Sequence, residues 1–105
     1  MKAVLDGLVC NTRNARKMAQ HDNGAFINDD DYCRETLYRT DAGKYFLHIF
    51  GNCKSPVASL QEGVAIPGER MIGLTYGEAM AWAKKTQEPA AYTRVLSEAA
   101  AALAA

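Results

Sequence analysis

Apolar and polar positions are most sharply patterned between residues 31 and 51, DYCRETLYRTDAGKYFLHIFG. Runs rich in Tyr, Thr, Leu and Phe flank Thr40-Asp41-Ala42-Gly43-Lys44. They predict two strands joined by a three-residue loop, with Gly43 where a left-handed backbone is needed. Pairing Thr40 with Lys44 sets Tyr38 opposite Phe46, Leu37 opposite Leu47 and Thr36 opposite His48, because side chains alternate along each strand. Leu37, Tyr45, Leu47 and Ile49 then share one face, and Tyr38, Phe46, His48 and Phe50 the other. Both faces are apolar, and a two-stranded ribbon is marginal alone in water. The hairpin is therefore expected at the centre of a larger sheet, with a helix on at least one side.

The flanking pattern is weaker. Lys2 to Leu5 and Leu8 to Cys10 enclose the turn-prone pair Asp6-Gly7 and predict a second, shorter hairpin. Asn11 or Thr12 is suited to cap a short helix whose core face is Ala15, Met18 and Ala19, stopped before Gly24. Residues 20–31, QHDNGAFINDDD, fail as a calcium loop: aligning Gly24 with the sixth position of an EF-hand puts Ala19 where a carboxylate is required. A polar surface loop tucked down by Phe26 and Ile27 is expected instead. From Asn52 to Arg70, glycines and prolines interrupt every period, so this stretch reads as an irregular loop of the kind that often carries function.

Met71 to Leu74 predicts a short strand at the sheet edge. Thr75-Tyr76-Gly77-Glu78 is a capping box opening a helix from Tyr76 to Gln87, with Ala79, Met80, Trp82 and Ala83 as its apolar stripe and Lys84 and Lys85 at its negative end. Pro89 opens a last helix to about Ala104, with Tyr92, Val95, Leu96, Ala99 and Leu103 on one face, a stripe that suits either the core or a homodimer seam. The expected fold is α+β. A small antiparallel sheet is built around the hairpin at about 32–50 and covered by a short N-terminal helix and two C-terminal helices, in one domain spanning 1–105.

Composition adds limits. With 105 residues, 49% hydrophobic and 23% charged, the chain has the balance of an ordinary globular domain. No apolar run approaches the roughly 20 residues of a membrane span. The opening lacks the apolar segment of a signal peptide, so a cytoplasmic location is expected. Twelve basic and twelve acidic residues cancel, leaving no net field toward nucleic acid or membrane. Three cysteines, Cys10, Cys33 and Cys53, are an odd number without a secretion signal and read as reduced, packed thiols. A zinc site made from them and His48 needs ligands from distant loops, since no C-x-x-C occurs. His48 acting as base for Cys33 or Cys53 is the one nucleophile arrangement to weigh, and a strand histidine reads better as structural. No catalytic residue, metal or cofactor is expected.

Three segments together resemble a pattern in small, uncharacterised bacterial proteins carried by phages and mobile elements. They are Glu35-Thr36-Leu37-Tyr38-Arg39-Thr40, then Gly43-x-Tyr45-Phe46-Leu47-His48, then Ile72-x-Leu74-Thr75-x-x-Glu78-Ala79-x-x-Trp82-Ala83. With the opening Asp6-Gly7, Asn11-Thr12 and Ala15, the resemblance covers about residues 4–87. It departs after His48, where those proteins continue with a Gly-rich, Ser-Trp-containing loop and this chain has Ile49-Phe50-Gly51-Asn52-Cys53. The resemblance implies a fold and a genomic setting.

Three roles follow as expectations. The first is a non-enzymatic protein-binding module of a mobile element, in its concrete form an anti-CRISPR or other anti-defence inhibitor that occludes a host protein. Its contact residues would be Lys54, Gln61, Glu62, Glu69 and Arg70 in the irregular loop. The second is a nucleic-acid-associated accessory using Arg13, Arg16 and Lys17 on the first helix. The third is a thiol or zinc protein. The closing Ala102-Leu103-Ala104-Ala105 is similar to the end of the bacterial trans-translation degradation tag and reads first as helix composition, second as a turnover signal.

Overall fold

The central hairpin forms in the register its side chains dictate. In the computed structural model, which describes residues 2–5 and 8–104, the strands Cys33–Arg39 and Tyr45–Gly51 pair antiparallel with Thr36 opposite His48, Leu37 opposite Leu47 and Tyr38 opposite Phe46. Gly43 closes the loop at φ 86°, a backbone region that a side chain would strain. The Lys44 amide donates to the Thr40 hydroxyl at 3.0 Å and the Thr40 amide to the Lys44 carbonyl at 2.9 Å.

In chain order the elements are β1 (Lys2–Leu5), β2 (Leu8–Asn11), β3 (Arg16–Asp22), β4 (Cys33–Arg39), β5 (Tyr45–Gly51), β6 (Ser59–Gln61), β7 (Val64–Ile66), β8 (Gly68–Leu74), α1 (Tyr76–Thr86) and α2 (Pro89–Ala104). The main sheet has the order β3-β4-β5-β8 and is antiparallel throughout, so the hairpin occupies its two central positions. The pairs β1-β2 and β6-β7 form separate ribbons.

Each face of the central hairpin has its own cover. Leu37, Tyr45 and Leu47 are buried with Met18 beneath Ala79, Met80 and Ala83 of α1 and Val95 and Ala99 of α2, and half-buried Trp82 packs against the same cluster. The alanines let the helix backbones approach the sheet closely. On the opposite face Phe46, fully buried and stacked on Tyr38 at 5.2 Å between centroids, packs with Cys10 and Met71 under Ala3 and Leu5 of the β1-β2 ribbon. Thr75 caps α1 as its sequence implies: its Oγ1 accepts from the Glu78 amide at 3.1 Å, and Glu78 Oε1 accepts from the Thr75 amide at 2.9 Å.

Three expectations are corrected. The N-terminal helix does not form, and residues 16–22 are instead an edge strand of the main sheet. Asn11 does organise a turn, its carbonyl accepting from Asn14 and Ala15 and its side chain from Arg13, but the chain then extends. The reason is a bulge: Lys17 pairs with Tyr38 and Ala19 with Leu37, so Met18 is an extra residue that turns into the core. Met18 and Ala19 on the strand, with Ala15 in the turn just before it, thus imitate helical spacing. Second, Phe26 and Ile27 are not tucked down but stand 81% and 69% exposed. Third, the stretch 52–70 is not wholly irregular, since it contains the β6-β7 ribbon and the start of β8. The expected turn at Asp6-Gly7 lies outside the described residues, whereas the two strands flanking it are formed.

Candidate functional site

Antiparallel order places the β3-β4 and β5-β8 connections at the same end of the sheet, away from the Thr40–Lys44 turn and the capped start of α1. The two connections are laced together. Asn52 Nδ2 donates to the carbonyls of Ile27 and Asp29, the Asn52 amide to Tyr32 and the Lys54 amide to Asp30. Asn23 closes the first connection on itself, donating to the Asp31 carbonyl at 2.7 Å and accepting from the Cys33 amide.

This end carries a cleft of about 350 Å³ on the helix-covered face, at the low end of small-ligand sites. Its floor is one row of side chains across all four strands: His21 pairs with Glu35, Glu35 with Ile49 and Ile49 with Arg70. Residues aligned in this way project to the same side of a sheet. The end wall is the Pro56-Val57 segment. It lies directly on the backbone because Gly51 and Gly68, opposite one another in β5 and β8, have no side chains. A Cβ on Gly51 would run into Ser55 and Val57, and one on Gly68 into the Val57 carbonyl.

The cleft brings an imidazole, a thiol and a carboxylate to one place, through His21, Cys33 and Glu35. The electrostatics oppose thiolate chemistry. Burial, and after it the negative charge of Glu35, push the Cys33 thiol above its ordinary range, the reverse of what a nucleophile requires. Cys53 is also raised, chiefly because its thiol hydrogen-bonds Asp30. His48 lies on the opposite face from Cys33. Its buried Nε2 sits 3.3 Å from Glu69 Oε1 but out of line for a hydrogen bond. Cys10, on β2, is buried against Phe46 and Met71 on the opposite face of the main sheet. Cys10 and Cys33 thus lie on opposite faces of the sheet, the three cysteines are unpaired by disulfides, and among the described residues no three His, Cys, Asp or Glu side chains are placed to hold a metal ion.

Beyond the cleft the β6-β7 ribbon projects. Every residue from Ser59 to Ala65 is exposed, and Leu60 and Val64, 79% and 63% exposed, face opposite sides of it by register. Its two-residue turn is Glu62-Gly63, both with left-handed backbones at φ 53° and 80°. Of the residues expected to contact a partner, Gln61 and Glu62 are at the tip of this arm, Lys54 is exposed in the laced loop, and Glu69 and Arg70 begin β8 on opposite faces of the sheet. Arg13 lies in the turn before β3, while Arg16 and Lys17 lie on β3 rather than a helix. Arg16 reaches Glu98 at 3.5 Å and Lys17 donates to Gln20 at 2.8 Å. The stripe expected as a dimer seam turns inward at Val95 and Ala99 and leaves Leu96 exposed; the side chain of Leu103 is outside the described set.

Of these cleft residues the sequence places Glu35 and Ile49 only as parts of the hairpin, and it gives His21 no role. The missed signal was the strand character of 16–22, without which His21 has no position relative to Glu35. No family model, curated protein or solved structure matches the chain. Among the described residues no helix is long and apolar enough to cross a membrane.

Proposed function

We propose that the chain is a non-enzymatic protein-binding module that engages its partner with the loop end of the sheet. The observation carrying this reading is the concentration of exposed large apolar side chains there: Phe26 and Ile27 on one connection, Leu60 and Val64 on the other. Leaving such groups in water forgoes roughly 25 cal/mol for each Å² that a partner could cover, and large apolar side chains left exposed on both connections at one end of a sheet supply material for an interaction surface. The hydrogen bonds lacing the connections hold the surface ready, which reduces the ordering cost of binding. Lys54, Gln61 and Glu62 supply a polar rim, and the free edges of β6 and β7 offer backbone groups for strand addition. With the mobile-element resemblance, the concrete form is an inhibitor that occludes a host defence protein.

Affinity capture from a bacterial host lysate tests it. A specific protein should be retained by the unaltered chain and lost with the double variant Leu60→Ser, Val64→Ser. Retention of nucleic acid alone, released by salt, would transfer the reading to Arg13, Arg16 and Lys17.

A further inference from the structure

The cleft floor has a charge order that the partner-binding surface does not use. Glu35 and Arg70 are separated by β5, and Ile49 lies between them as an apolar floor. Neither charged side chain forms an ion pair with the other or with any other described residue. Glu35 stands beside Cys33 on the cleft wall, two residues along the same strand and on the same face. His21 flanks Glu35 on the outer strand and, in its neutral form, can accept or donate one further hydrogen bond.

We infer that this cleft binds a small zwitterion of dipeptide size, with its ammonium group on Glu35, its carboxylate on Arg70 and an apolar side chain over Ile49 against Val57. The spacing argues for the size. Two strand separations set the Glu35 and Arg70 backbones roughly 10 Å apart. Charge-assisted hydrogen bonds of about 2.8 Å at each end leave on the order of 4 Å between the ligand's charged groups with the side chains parallel, and more with them leaning apart. A free α-amino acid, with its charged groups roughly 3 Å apart, falls short of that span, and an extended dipeptide, longer by about 3.5 Å, fits with the two side chains leaning apart. Arg70 can grip a carboxylate with two parallel N–H donors, which a lysine could not do. The wall that closes the site depends on Gly51 and Gly68, so the cleft is built into the sheet and does not depend on the arm.

The probe is the dipeptide Ala-Leu, titrated into the full-length chain and followed by amide NMR shifts. Saturable shifts confined to the His21, Glu35, Ile49 and Arg70 row and to Val57 are expected at or below about 10 mM, a range that ordinary weak sites reach. N-acetyl-Ala-Leu, without the ammonium, and Ala-Leu amide, without the carboxylate, should each bind at least about tenfold more weakly, as should Glu35→Gln and Arg70→Gln with the unmodified dipeptide. The inference fails if no saturable shift appears, or if blocking either terminus leaves affinity unchanged. The second arm needs no variant, so it is independent of folding. The double variant Leu60→Ser, Val64→Ser should bind the dipeptide normally, which separates this site from the partner surface.

Discussion

Gly68 illustrates how one absent methyl group shapes the loop end. The carbonyl of Val57 occupies the space a side chain would take, and backbone cannot rotate away as a flexible side chain can. Gly68→Ala should therefore lift the 55–57 segment, open the cleft and cost about 1–3 kcal/mol, the range of an overpacking substitution. Urea denaturation should show the lower midpoint with an unchanged slope. Cys33 provides a second test at this scale. Its raised thiol means that the protonated form is favoured in the folded chain, so its contribution to stability is present below the ordinary thiol range and lost as pH rises through the raised value. Glu35→Gln removes one of the two causes. The thiol should then ionise more readily, and iodoacetamide should label Cys33 faster at mildly alkaline pH. An unchanged rate would mean that burial alone sets the thiol.

Among the elements, α1 is held by a local signal and β3 by a distant one. Thr75→Ala removes the cap that satisfies the Glu78 amide and should cost about 1 kcal/mol, read as a lower thermal midpoint. The same contrast explains what was legible beforehand. The central hairpin, its register, both its faces and the capping box follow from residues adjacent in sequence. Strand β3 does not, because the bulge at Met18 breaks its alternation and only pairing with Tyr38 and Leu37 reveals it. The cleft inherited that error: while 16–22 is a helix, His21 cannot be aligned with Glu35. Strands β6 and β7 were hidden differently. Each has three residues, and their turn uses Glu62 at φ 53°, where the common hairpin signal is Asn or Asp before Gly. Arg70 was expected at a binding surface from its loop setting, and it lines the cleft from β8.

At the scale of the molecule, the two halves of the sheet do different things. One end is closed by α1, α2 and the β1-β2 ribbon around two apolar clusters; the other is left with the laced connections, the cleft and the arm. Stability should follow that division. Phe46→Ala, at a fully buried site, should cost roughly 3–5 kcal/mol and unfold much of the population. Glu98→Gln, which breaks only the exposed pair with Arg16, should change stability by less than about 1 kcal/mol. Polar substitutions at Leu60 and Val64 belong with the second class, since those side chains cover nothing in the free chain. The loop end is the proposed protein-binding surface. Its most direct test is capture of partners from a bacterial host lysate by the unaltered chain beside the folded Leu60→Ser, Val64→Ser variant. The expected result is a protein retained at near stoichiometric yield by the first and lost by the second. Equal retention by both chains, or recovery of salt-labile nucleic acid and no protein, would contradict it.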